Sequence, residues 1–96
     1  MQKSIWKFPV KVEDYQIICM PEGAKVLTVQ VQDDKPYVWA ICDTETKIKE
    51  IRKFTLYGTG NPFNENDYHE HEHTFIGTFQ LADGAFVGHL FELEYV

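Results

Sequence analysis

Val26-Leu27-Thr28-Val29-Gln30-Val31-Gln32-Asp33-Asp34-Lys35-Pro36-Tyr37-Val38-Trp39-Ala40-Ile41-Cys42 is the stretch on which the reading of the fold turns. Its first part alternates. Leu27, Val29 and Val31 fall on one side and are expected in a core, with Thr28, Gln30 and Gln32 on the other. A period of two is that of a half-buried strand. Asp33-Asp34-Lys35-Pro36 is a turn cluster and closes a hairpin. Tyr37 to Cys42 is apolar on both sides, which places that strand centrally in its sheet.

The same period recurs on either side. Ile5 to Val12 sets Trp6, Phe8 and Val10 on one face. Pro9 has no amide hydrogen to give a ladder, so this strand is expected at an edge or bulged there. Glu13-Asp14 reads as a turn, Tyr15 to Met20 as the next strand, and Pro21-Glu22-Gly23 as a turn. Asp43 to Ile51 breaks the pattern and reads as a loop or a single helical turn. Lys53 to Thr59 alternates again, with Phe54 and Leu56 inward. Gly60 to Asp67 is a polar loop. His73 to Leu81 is expected as a strand with Phe75, Phe79 and Leu81 on one face. Ala82-Asp83-Gly84-Ala85 supplies the positive φ of a hairpin turn. Phe86 to Tyr95 closes the chain. The fold class expected is all-β, a small antiparallel sandwich or partly open barrel of about seven strands. At 96 residues it fits one domain, spanning 1–96.

The formal charge is −6 and the nine Lys and Arg residues are scattered. A phosphate-binding stripe needs clustered cations, so direct nucleic-acid binding is excluded from the expectations. No apolar stretch approaches the ~20 residues of a membrane helix, and the first residues lack the apolar core of a signal peptide. The chain therefore reads as cytoplasmic and not membrane-bound. Cys19 and Cys42 both lie in apolar runs and are expected as buried free thiols, with a disulfide the open alternative.

Chemistry is sparse. His69-Glu70-His71-Glu72-His73 would set three imidazoles on one face if extended, a donor set able to hold Zn²⁺ or a similar divalent cation. The competing reading is a solvated loop entering a strand, and with it no cofactor. His89 sits among Val87, Phe91 and Leu93 on an apolar face, as a satisfied rim residue or a ligand contact. No Gly-x-Ser-x-Gly elbow is present, and cysteines in apolar runs are poor nucleophiles. Gly58-Thr59-Gly60-Asn61 lacks the Lys-Ser/Thr of a phosphate loop, and remains a ligand-facing or bend-forming turn. Leu56-Tyr57-Gly58-Thr59 and Phe75-Ile76-Gly77-Thr78 echo one another, as two strands bent by the same device. The chain is thus expected not to be an enzyme.

Several segments together resemble a family of small phage and prophage proteins built on a domain of unknown function. They are Ile5-Trp6-Lys7, Met20 to Leu27, Val29 to Gln32, Trp39-Ala40, Phe54 to Pro62, Phe75 to Gln80 and His89 to Glu92. The resemblance implies a phage or bacterial origin and a setting in the host cytoplasm. A non-enzymatic protein that binds a host protein, in host takeover or anti-defence, is the first functional expectation. The alternatives are an oligomeric small-molecule or nucleotide-signal binder, with Lys53, Tyr57, Thr59 and Arg52 as its nearest set, and a virion accessory protein. Tyr57, Gly58, Thr59, Gly60, Asn61, Lys53 and His89 are the candidate binding residues. Pairing with a second copy is expected from small size and exposed edges.

Overall fold

The computed structural model describes residues 2–63 and 71–95. Among them run seven strands: β1 (Lys3–Pro9), β2 (Tyr15–Pro21), β3 (Lys25–Gln32), β4 (Lys35–Asp43), β5 (Lys49–Gly58), β6 (His71–Leu81) and β7 (Phe86–Tyr95). They form two antiparallel sheets, β1-β4-β3 and β2-β5-β7-β6, which pack as a β-sandwich with no closed barrel. No helix among the described residues is long and apolar enough to cross a membrane.

The core lies between the sheets. Val29, Val38, Ala40 and Cys42 come from the three-stranded sheet, and Met20, Phe54, Leu56, Leu90 and Phe79 from the other. β4 is the central strand of its sheet, as its two apolar faces require. β3 and β4 are joined by Asp33 and Asp34 at φ 54° and 58°, with Gln32 paired to Lys35. Aspartate tolerates this left-handed region because its short side chain bonds locally. The Asp34 carboxylate also accepts the Ala82 amide hydrogen at 2.9 Å. That bond ties this hairpin tip to the 3₁₀ turn Ala82–Gly84 between β6 and β7.

Pro9 lies on an edge strand, and the ladder shows why it is tolerated. The Val10 amide donates to Pro36 and the Thr44 amide to Gln2. Even-numbered residues of β1 therefore turn their main-chain groups to β4, and odd-numbered ones turn theirs outward. Pro9 gives up only a solvent-facing donor.

Two expectations about faces are corrected. Leu27 is not in the core. A bulge between Val26 and Thr28 turns it outward, leaving it 41% exposed. Phe75 does not share a face with Phe79 and Leu81. A second bulge, between Phe75 and Gly77, adds Ile76 to β6. Ile76 then packs on the core while Phe75 stands outside at 57% exposure. Bulges flip the alternation that periodicity relies on. The Gly-Thr echo also splits. Gly77 is part of the bulge, where a Cβ would come within 2.9 Å of Val29 Cγ1. Gly58 ends β5 unbulged and leaves room for the Asn61 amide, 3.0 Å from where a Cβ would stand.

β5 begins at Lys49, ahead of the expected Lys53. Its early part carries Arg52 toward the interior. There Arg52 forms a two-pronged pair with Glu92: Nε donates to Oε2, and Nη2 donates to Oε1 at 3.0 Å. Nη1 donates to the Ala24 carbonyl at 2.7 Å, holding the turn that opens β3. The hydrogen bond to Glu92 holds the Arg52 guanidinium above its already high pKa. An inward arginine breaks the polar-out rule, which is why this half-strand is silent in the sequence.

Candidate functional site

The outer face of the four-stranded sheet is built in rows. Ile17, Lys53, Leu93 and His73 lie side by side across β2, β5, β7 and β6. The next row is Tyr15, Thr55, Phe91 and Phe75. The third is Tyr57, His89 and Thr78. Cys19 faces Ile51 at the far end. An outward sheet face normally carries polar residues. Here Tyr15, Ile17, Ile51, Phe63 and Phe75 are each exposed by more than two-fifths.

Phe63, from the segment after β5, lies over this face. Its ring centroid is 4.3 Å from Tyr57, 5.5 Å from His73 and 5.6 Å from Phe91. Phe75 stands 5.3 Å from Phe91. These are tilted and edge-on contacts at favourable aromatic spacing. The rings make one cluster, and the Tyr57 hydroxyl within it is buried with no hydrogen-bond partner among the described residues.

Beside the cluster is a shallow hollow of about 280 Å³ lined by the Tyr57–Asn61 segment, Thr78 and His89 together with the rings of Phe63, Phe75 and Phe91. Six of the seven candidate binding residues meet there. The turn Gly58–Asn61 is closed by the Asn61 amide donating to Gly58 and anchored by the Thr59 amide donating to Val87. Gly60 supplies the positive φ of 89°. Thr59 Oγ1 is 2.7 Å from His89 Nε2, and Thr78 Oγ1 is 2.9 Å from Nδ1. A neutral imidazole donates through one nitrogen and accepts through the other, and a hydroxyl can do either. The chain Thr59–His89–Thr78 is therefore satisfied in both tautomers. A hydroxyl beside an imidazole is half of a nucleophilic constellation. The third member here is a neutral hydroxyl, which cannot stabilise an imidazolium as a carboxylate does.

Lys53 is the seventh candidate and stands two rows from His89. It lines a different hollow, of about 640 Å³, with Tyr15, Ile17 and Leu93. Arg52, offered with it as a phosphate contact, faces the interior and is committed to Glu92 and Ala24. Of the histidine tract, His69 and the side chain of His71 lie outside the described residues. His73 sits on the outer face beside Tyr57, Phe63 and Phe91. Among the described residues no three metal-ligating side chains come together.

Both cysteines are free. Cys42 is buried, and burial pushes its thiol pKa up. Cys19 is not buried as expected. It alternates with Ile18 and Met20 and emerges on the outer face.

A family model described as a domain of unknown function, DUF7352, matches residues 1–95. The chain belongs to the DUF7352 family. That description carries no catalytic indication. No curated protein and no solved structure matches the chain. In this DUF7352 chain the aromatic cluster and the hollow share one surface, the outer face of the four-stranded sheet. Phe63, Thr78, Phe75 and Phe91 belong to that surface and were not among the sequence candidates. Only the Gly77-Thr78 echo of Gly58-Thr59 pointed to any of them.

Proposed function

We propose that this chain is a phage-encoded, non-enzymatic binding protein that engages a host protein through the outer face of its four-stranded sheet. One observation carries the reading: five large apolar side chains, Tyr15, Ile17, Ile51, Phe63 and Phe75, stand exposed on that face. Contiguous exposed apolar surface marks interaction sites in soluble proteins. The aromatic cluster supplies rigid anchors at its centre, the residue types that dominate binding energy. The net charge of −6 steers the chain toward a basic partner surface. Host takeover or anti-defence is the setting this implies.

A second reading has its own observation, the Thr59–His89–Thr78 chain beside an aromatic wall. A small, planar, uncharged ligand suits that hollow, with the rings stacking and the hydroxyls and imidazole reading its edge. A nucleotide is the weaker fit, because Arg52 is engaged in the interior.

Affinity capture from host lysate, with proteins and released small molecules both identified, tests the two readings together. The native chain is expected to retain one host protein in stoichiometric amount. Ile17→Glu with Phe75→Glu is expected to lose it at least tenfold, since a lost central anchor costs ~2 kcal/mol. Ile48→Glu, equally apolar and exposed but in the β4–β5 loop, is expected to retain it. Equal retention by all three would refute the surface. A planar small molecule released in place of a protein would favour the second reading.

A further inference from the structure

Four strand edges bound the two sheets, and they are not equally open. β3 and β6 close on each other, with Val29 seated against Gly77. β2 runs beside the charged connection from β1, whose Lys11 and Glu13 line the same hollow as Tyr15 and Ile17. The Gln16 side chain clamps that connection by bonding both the amide and the carbonyl of Lys11. Among the described residues β1 has no such flank. Its side chains from Lys3 to Lys7 are exposed on both faces, with Ile5 at 58% on one and Trp6 at 38% on the other. Lys3, Ile5 and Lys7 present unpaired main-chain donors and acceptors along it, and Pro9 an acceptor alone.

Lysine on an edge usually repels a second strand. Lys7 does not stand guard. Its ammonium reaches back across the sheet, 4.6 Å from the Tyr37 ring centroid and 5.8 Å from that of Trp39. It ends on the Gln32 side chain of β3, the opposite edge. The middle of β1 is left apolar and uncharged along its open side.

We propose that two copies of this chain pair β1 to β1, antiparallel, about a two-fold axis through Trp6. The three-stranded sheet thereby becomes a continuous sheet of six. Strand length selects the register, since only an axis through Trp6 pairs all of Lys3–Pro9, and charge agrees with it. A two-fold normal to the sheet sets like faces together, so the axis passes through a residue. Through Ile5 it would set Lys3 opposite Lys7 of the second copy. Through Lys7 it would set that lysine opposite itself. Through Trp6 it sets Ile5 opposite Lys7 and Lys3 opposite Pro9, with no like charges facing. Axes nearer either end leave strand residues unpaired. In this register Ile5 and Lys7 exchange hydrogen bonds, and the two Trp6 residues form the close, non-bonded pair. The contact is isologous, so it closes at two copies. It leaves the outer face of the other sheet untouched, and its failure would say nothing about host-protein binding.

The register makes the test specific. With Cys19→Ser removing the exposed thiol, Trp6→Cys places two sulfurs at disulfide spacing across the axis. Air oxidation is expected to give a reductant-sensitive band of doubled mass. Ile5→Cys in the same background faces Lys7 of the second copy and is expected to stay at single mass. Light scattering on the native chain at micromolar concentration is expected to give twice 11.2 kDa. Ile5→Pro removes only an outward amide and is expected to give the single mass. A native chain that stays at single mass overturns the proposal. So does a native dimer that survives Ile5→Pro, or in which Ile5→Cys crosslinks and Trp6→Cys does not.

Discussion

Glu92 is the residue at which charge and fold meet. It is 6% exposed, and both of its oxygens are taken by Arg52. Removing one partner of such a pair strands the other in a poorly solvated site. That costs ~3 kcal/mol, whereas replacing both with apolar groups is close to neutral. Glu92→Ala is therefore expected to lower unfolding stability by ~3 kcal/mol. Glu92→Leu with Arg52→Met is expected to recover most of it. Urea unfolding at constant m-value checks both. An equal loss in the double variant would mean that Arg52 acts mainly through its bond to the Ala24 carbonyl. At this scale the candidate site was partly legible. Gly58 to Asn61 reads as a turn and His89 as a histidine on an apolar face, and the fold brings them together. Lys53 is near them in sequence, but the sheet holds it two rows away. Thr78 and Phe75, which line the hollow with His89, come from a strand whose register the sequence could not give.

The elements were legible where period two ran unbroken. The β3–β4 hairpin, the central place of β4 and the edge place of β1 all follow from alternation, turn residues and Pro9. Legibility stopped at Leu27 and Ile76, because one inserted residue reverses the faces beyond it and leaves no compositional mark. It stopped again at Arg52, an inward charge that reads as solvent-facing until its partner is known. The β6 bulge has an energetic counterpart. Gly77 lets β3 approach so closely that a Cβ would meet Val29 at 2.9 Å, with the Val29 main chain 3.8 Å behind it. Gly77→Ala must push β3 away or force Val29 off its rotamer. Overpacking of this kind costs ~1–3 kcal/mol. Thermal unfolding is expected to show a lower midpoint for Gly77→Ala. An unchanged midpoint would show that the two edges separate without penalty.

For the whole molecule, the two outer faces differ in kind. On the three-stranded sheet, Tyr37 and Trp39 are roofed by Lys7, β3 adds Thr28, Gln30 and Gln32, and the exposed apolar residues are Ile5 and Leu27, which stand apart on the two edge strands. On the four-stranded sheet the exposed large apolar residues are Ile17, Ile51, Tyr15, Phe63 and Phe75, several of them in adjoining rows beside the exposed Lys53 and Thr78. An acidic chain of this size keeps such a face in water at a cost in solubility, which binding a partner removes. If that face is the binding surface, a probe fixed on it must find the partner and a probe on the other face must not. The direct measurement is site-specific photo-crosslinking in host lysate, with the photoreactive residue placed at Phe75 or, as the opposite face, at Ile41. The account predicts one discrete host-protein adduct from Phe75 and none from Ile41. An adduct from Ile41 alone, or the same adduct from both positions, would contradict it.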